Sequence, residues 1–468
     1  MVDTLEIARQ VPLPASTSTF EQELEQEQPT GVNESSLPPV DRGFRAWSFM
    51  SAAFLVQAVV WGLSNSFGVF LEAYLQDPVY TNQRNPTVLL SLIGPLSSGI
   101  IYCSGPFINL FITRFPFHRR TVMWLGVACC WTSLFGASYT TRLQLLVFLQ
   151  GVLYAVGGAL LYYPCISYVA EWFVRRRGLA NGVIFAGTAA GGVILPLILP
   201  WLISSRGPSG ALRVLSIVIV SLLIPILPLV KGRLPELRSS RTRVSTRRRY
   251  GERKWWSNGT FWVVLTTNTF QGFGYFVPLV WLPTFATALN VNTTNASIAL
   301  SLLNGASVIG RLSLGYLSDK FNPWALAFCT LLFTSVSTFI LWGVLSHTFG
   351  GLLAFGVAYG LLAGGWSSLW TGFIRGVGVT HNPTHPTTIY GYLMFSRGIG
   401  NILSTPISTA LSNSNSSAPE RHVDAHLGFD VDNGKYEKMI LYVGTCFAGA
   451  AVASLMGWVR ERRRGSGN

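Results

Sequence analysis

Charge is the first shortage. Asp, Glu, Lys and Arg make up 12% of the 468 residues, about half the ~25% of a soluble domain. So few charges cannot cover a water-facing surface, and an ordinary soluble enzyme is excluded. Cysteine is scarce too. Cys103, Cys129, Cys130, Cys165, Cys329 and Cys446 all fall inside apolar stretches, without the spacing of a disulfide framework or a zinc module. The glycines of the apolar runs are not followed by Gly-Lys-Ser/Thr, so they do not form a phosphate cradle for ATP. The same runs contain no cluster of His, Asp and Glu and no nucleophile-base pair, which leaves a membrane enzyme unsupported. No cofactor or metal is implied.

What is present is apolar. Hydrophobic residues reach 49% and mean hydropathy is +0.40, which excludes disorder as the main state. A membrane-crossing helix needs about 20 mainly apolar residues. Twelve stretches qualify, at 46–71, 88–112, 121–139, 143–166, 178–203, 211–230, 261–286, 296–317, 324–346, 349–373, 386–411 and 439–459. They lack the short alternating pattern of barrel strands. The expected fold is therefore all-α: twelve transmembrane helices in two six-helix bundles.

The net charge of +14 is explained by topology. With both termini in the cytosol, the loops and C-terminal tail on that side hold 22 Lys and Arg, against 7 on the other side. This is the positive-inside bias, and nucleic-acid binding need not be invoked. The sequons at Asn292, Asn295 and Asn415 fall in expected outside loops and are candidate glycosylation sites. The expected divisions are a polar, acidic cytosolic tail (1–45), a first bundle (46–230), a basic linker (231–260), a second bundle (261–459) and a basic tail (460–468). The tail at 1–45 does not read as a signal peptide.

Six helices, a long middle loop and six more helices resemble a major-facilitator transporter, whose halves are related by an axis along the membrane normal. After the second helix come Gly105, Thr113-Arg114-Phe115 and Arg119-Arg120; after the eighth come Gly310-Arg311, Gly315 and Ser318-Asp319-Lys320-Phe321. These are similar to the facilitator loop motif, although Thr113 stands where the first copy would have Asp. The resemblance implies a cytosolic gate built on Asp319, Lys320 and Arg114. Further stretches resemble the fungal branch of the monocarboxylate-porter-like family: Asp41-Arg42-Gly43-Phe44-Arg45-Ala46-Trp47, Asn65-Ser66-Phe67-Gly68, Tyr162-Tyr163-Pro164, Glu171-Trp172-Phe173 followed by Arg175 to Gly182, and Gly398-Ile399-Gly400-Asn401. That resemblance implies alternating access, proton coupling, function as a monomer and a multi-pass protein, by default in the plasma membrane.

Ionisable groups inside a bilayer cost at least ~2.5–3.5 kcal/mol on insertion scales. Arg311 and Arg397 are the two well within spans. Arg311 matches an Arg that family members use to hold a substrate carboxylate; the alternative is a structural role near the gate. Arg397 has no acidic neighbour along its helix, so its partner is an anionic substrate or a set of carbonyls. Family members with proton coupling carry an Asp one turn before the Arg and a Lys in the first helix. Here Ser307 and Asn65 occupy those places. Glu171 is expected to pair with the nearby Arg175–Arg177 cluster.

Asn268, Gln271 and Tyr275 lie close to one helical face, and Asn65, Asn304, Trp366 and Tyr392 add to the candidate cavity; Trp370 accompanies Trp366. The expected function is transport of a small organic anion, a monocarboxylate or carboxylated metabolite, held by Arg397 and Arg311. A neutral or vitamin-like substrate, including an exported secondary metabolite, is the alternative. Partners are the substrate and the lipid bilayer.

Overall fold

The computed structural model describes residues 37–234, 258–377, 384–413 and 426–465. Most of the N-terminal tail, most of the basic linker and Asn415 lie outside them. The helices all belong to one unit, Val40–Asn468. They form twelve rods in two bundles of six, as the twelve apolar stretches require.

Several rods differ from uninterrupted helices. The first runs Phe44–Asn65 and resumes as Phe67–Gln76 after a break at Ser66. The second runs Pro86–Cys103 and Gly105–Arg114; Pro106 has no N–H to continue the ladder and explains that break. The third is Arg119–Ala137 and the fourth spans Leu143–Trp172. The fifth and sixth are two helices within Arg177–Ile226 that meet directly at Gly207, whose φ of 71° and ψ of 169° are non-helical. A glycine tolerates that left-handed φ without a Cβ penalty, and Pro208 follows it. No separate loop divides them.

The second bundle begins with Gly259–Ala288 and Thr293–Lys320, followed by Pro323–His347. The tenth rod runs Phe349–Ala363, tightens to a 3-10 turn at Trp366–Leu369, and continues as Trp370–Val377. Thr384–Asn413 and Glu437–Gly465 complete it. Among the described residues, eight stretches are long and apolar enough to cross a membrane by length and composition, one of them holding both the fifth and sixth rods.

One end of the molecule carries the start of the first rod, the end of the last, and both flanks of the linker. At this near end the Asp41 N–H donates to the Trp172 carbonyl (3.0 Å), and the Trp172 indole donates to the Lys231 carbonyl (2.8 Å). Close packing between rods rests on small residues, which let backbones approach. A Cβ at Gly191 would strike the Ala58 carbonyl oxygen and the Gly62 Cα, and one at Gly182 would strike the Arg311 carbonyl oxygen. The first pair joins the fifth rod to the first, and the second joins the two bundles.

These contacts set a packing prediction. Gly191→Val overfills the first–fifth seam and is expected to cost about 1–3 kcal/mol, read as a lower unfolding temperature of the purified protein. Gly68→Ala, where a Cβ meets nothing within 4 Å, is expected to leave that temperature unchanged or raised.

Candidate functional site

The two buried arginines have different surroundings. Arg311, 8% exposed, is engaged on every side. Its Nε donates to the Gly364 carbonyl (3.0 Å), Nη1 donates to the Phe185 carbonyl and the Thr188 hydroxyl, and Nη2 donates to the Tyr275 hydroxyl (3.4 Å). Gly364 lies where the tenth rod loses its regular turn, which frees carbonyls that must be satisfied inside the bundle. Gln271 serves the neighbouring one, its Nε2 donating to Ala363 O (3.5 Å). Phe185 and Thr188 belong to the fifth rod, so Arg311 also ties one bundle to the other.

Arg397 is 2% exposed. Its Nη1 donates to Gln271 Oε1 (2.5 Å), and its guanidinium carbon lies 4.2 Å from the Tyr275 ring, 5.5 Å from Phe276 and 5.9 Å from Trp370. Aromatic faces are negative and attract the cation, by ~0.5–2 kcal/mol each. Facing this cage from the first bundle are Tyr102, within electrostatic reach of Arg397, and Trp61, whose ring centroid is 4.6 Å from that of Tyr102. The indole nitrogens of Trp61 and Trp370 are buried without a hydrogen-bond partner among the described residues. No Asp or Glu whose side chain is described is buried. The centre is rich in donors and aromatic faces and has no buried carboxylate to offset it.

The remaining candidates sort by position. Asn268 Nδ2 donates to Leu393 O (2.8 Å) and Ser396 Oγ (2.7 Å), while Asn268 Oδ1 accepts from the Trp366 indole (2.8 Å). Asn268 and Trp366 therefore clamp the seventh, tenth and eleventh rods behind the cage. Asn65 donates to Thr188 O (3.1 Å), and Asn304 donates to Gly192 O (3.4 Å) and Leu300 O (3.2 Å); both lie on the far side of the cage from the termini. Tyr392 is 39% exposed and packs edge-on against Phe261, outside the cage. Tyr390, two residues earlier, is the one turned inward.

The near end is shut. Asp319 accepts the backbone N–H groups of Gly178 and Leu179, both at 2.9 Å. These belong to the first turn of the fifth rod, where amides lack helical partners and the dipole is positive. The Tyr162 and Tyr390 hydroxyls meet across the bundles at 2.8 Å. What remains between them is a cleft of about 20 Å³ beside Asn109, Ser167, Thr371 and Tyr390. Lys320 lies over the Tyr316 ring of its own helix (4.4 Å), and exposed Arg114 lies 6.0 Å from the Phe115 ring. Asp319 thus joins the two bundles by accepting backbone amides of the fifth rod.

Glu171 is a correction. It pairs with Arg119 (2.8 Å) rather than with the Arg175–Arg177 cluster, whose backbone instead meets Asp41. Asn292 caps the eighth rod, its Oδ1 accepting from the Asn295 N–H (2.9 Å).

The far end is open. A cavity of about 350 Å³ lies between the bundles there, bounded by the first, fifth, seventh and eighth rods. Two six-helix bundles meet at a polar aromatic centre, with one end closed and a cavity at the other, an arrangement that fits a membrane carrier. The chain belongs to the Major Facilitator Superfamily, whose sequence profile matches residues 48–405. It is a transporter of that family and a multi-pass membrane protein.

Among its relatives is the MFS-type transporter pytF of Aspergillus terreus, 31% identical over 61% of this chain and 94% of that protein. Monocarboxylate transporter 10 of Rattus norvegicus is 28% identical over 74% of this chain and 69% of its own length. The aspyridones efflux protein apdF of Emericella nidulans is 25% identical over 81% and 74%. In fold, the proton:xylose symporter XylE superposes with a TM-score of 0.65 at 13% identity, covering 88% of this chain and 95% of that one.

Arg311 carries a structural prediction. Arg311→Leu leaves the Gly364 carbonyl without its side-chain donor, at about 1–3 kcal/mol for an unsatisfied buried group, and removes the tie to Phe185 and Thr188. A lower unfolding temperature is expected even without any substrate; an unchanged one would show that these contacts do not stabilise the fold.

Proposed function

We propose that this protein carries a small organic anion across a membrane by alternating access, with Arg397 as the anchor of the acid group. The carrying observation is a guanidinium at the junction of the bundles whose recorded partners are one amide, the Tyr102 hydroxyl and three aromatic rings, with no acid among them. A carboxylate can accept two parallel hydrogen bonds from a guanidinium. Buried beside the aromatic cage, the pair would also be shielded from water, which strengthens the attraction. Arg311, held by carbonyls of both bundles, would position the halves rather than seize the substrate. The likeness to monocarboxylate transporter 10 supports an acid as cargo.

The near end would face the cytosol, in keeping with the bias of Lys and Arg, and the open cavity would face outward. Asp319 would then hold the cytosolic side closed. Release of an exported metabolite is a second reading of the same geometry, favoured by the likeness to an aspyridones efflux protein.

Uptake and efflux in proteoliposomes test the anchor, with labelled pyruvate, benzoate and phenylpyruvate beside neutral benzyl alcohol, with and without a pH gradient. Arg397→Gln should cut acid movement at least tenfold, and the gradient arm reads the coupling. Movement of the neutral compound alone, unchanged in Arg397→Gln, would sink the anion reading.

The gate has its own test. Asp319→Ala removes two bonds at a helix start, ~1–2 kcal/mol, a roughly 5- to 30-fold shift in a two-state balance. Labelling of Ser167→Cys by a maleimide should rise in that variant and stay constant in Arg114→Ala. Equal labelling in all three proteins would remove Asp319 from the gate.

A further inference from the structure

The far-end cavity has properties that an open entrance alone does not require. Its volume of about 350 Å³ lies in the range of drug-sized ligand sites, ~300–1,000 Å³. Among the described residues no charged side chain lines it; Val69, Leu71, Leu75, Val280, Pro283 and Leu300 form its apolar wall, beside the neutral polar Asn65, Ser66, Thr284, Thr287 and Ser297. The first rod breaks at its edge. Ser66 leaves the helix with φ −106° and ψ 7°, with no Pro or Gly at the break. Interrupted membrane helices are tolerated where they border a cavity, and they mark binding sites in carriers. The Ser66 side chain lines the cavity, is 2% exposed, and its hydroxyl has no hydrogen-bond partner among the described residues. A buried unsatisfied hydroxyl costs about 1–3 kcal/mol. A ligand that bonds to it recovers that cost.

A relay of side-chain contacts links the cavity wall to the arginines. Asn65, on its wall, donates to Thr188 O (3.1 Å). The Thr188 hydroxyl accepts from Arg311, Arg311 reaches the Tyr275 hydroxyl, and the Tyr275 ring lies 4.2 Å from the Arg397 guanidinium. Asn65 and Asn304 meet over Gly192, where a Cβ would touch both at 3.3 Å. A side chain at that glycine would crowd both amides.

We propose that this cavity is a second subsite, which takes the uncharged, apolar body of an amphipathic acid whose anionic head lies at Arg397. The inference rests on the anion reading above and narrows it. Substrates are carboxylic acids bearing an alkyl chain or an extended ring system, with a neutral hydrogen-bonding group within reach of Ser66. Small acids such as benzoate fill the head site alone. Gly68 lies on the cavity wall with nothing within 4 Å of a Cβ, so a larger side chain there fills the cavity without displacing a neighbour.

Equilibrium binding to the full chain in nanodiscs tests this, with empty discs subtracted. The probes are labelled benzoate, 4-hexylbenzoate and the neutral 4-hexylphenol. 4-Hexylbenzoate is expected to bind at least tenfold more tightly than benzoate. Gly68→Phe should reduce that advantage below threefold and leave benzoate unchanged, with Gly68→Leu intermediate. Arg397→Gln should weaken both acids and not the phenol. If the hexyl advantage survives Gly68→Phe, the subsite is overturned, whatever Arg397→Gln does. If Gly68→Phe removes binding of 4-hexylphenol while Arg397→Gln changes nothing, the subsite stands and the anion reading falls. Absence of saturable binding by all three probes overturns both.

Discussion

A guanidinium in the interior of an apolar bundle must be neutralised, solvated by protein dipoles or exposed to water. This protein places two there and supplies no buried acid among the described side chains. Both cations are instead solvated by the protein, each in a different currency. Arg311 takes backbone carbonyls. Arg397 takes an amide oxygen and the faces of aromatic rings. The irregular features of the centre follow from this need. The loosened turn of the tenth rod exposes the carbonyls that Arg311 and Gln271 satisfy, and the rings of Tyr275, Phe276 and Trp370 turn inward rather than toward lipid.

Backbone dipoles also govern the closed end. The start of the fifth rod and the turn before it meet two carboxylates: Asp41 receives the N–H groups of Val174, Arg175 and Arg176, and Asp319 receives those of Gly178 and Leu179. Asp41 precedes the first rod and stays within its own bundle. Asp319 comes from the other bundle. Similar chemistry therefore serves twice, once to fix a loop and once to join moving parts. A contact of an acid with amides suits the second task, because it breaks without leaving a buried charge: Asp319 is only partly buried and water can replace the amides.

The fold was legible because twenty-residue apolar runs have few other uses. The arginines and Gln271 were legible for a related reason, since polar groups in such runs are costly and must face the interior. Aromatic residues give no such signal, because a ring serves equally in a core, a lipid face or a binding cage; Trp61, Tyr102 and Phe276 went unnoticed on that account. Tyr392, a cavity candidate by sequence, faces outward while Tyr390 is buried: two residues are about 200° apart on a helix, enough to exchange the interior for the outer surface. The break at Ser66 has no local cause in Pro or Gly and is set by packing across rods. Glu171 chose Arg119 over nearer arginines because the fourth rod ends beside the third, a proximity that sequence distance hides.

The different solvation of the two arginines has a consequence for specificity. Carbonyls that already accept strong bonds from Arg311 must be abandoned before that cation can serve a ligand, and one of them, Phe185, belongs to the opposite bundle together with the Thr188 hydroxyl. An anion competing for Arg311 would have to match those bonds and offset the loosened contact between halves. Around Arg397 the competition is milder, since ring faces attract a cation without using its N–H groups. A carboxylate approaching its edge adds hydrogen bonds while the rings stay in place. The same residue type is therefore held by carbonyls in one helix and by an amide oxygen and ring faces in another. What separates them is whether the N–H groups are already spent, which is decided by the broken turn of the tenth rod beside Arg311 and by the intact aromatic wall around Arg397.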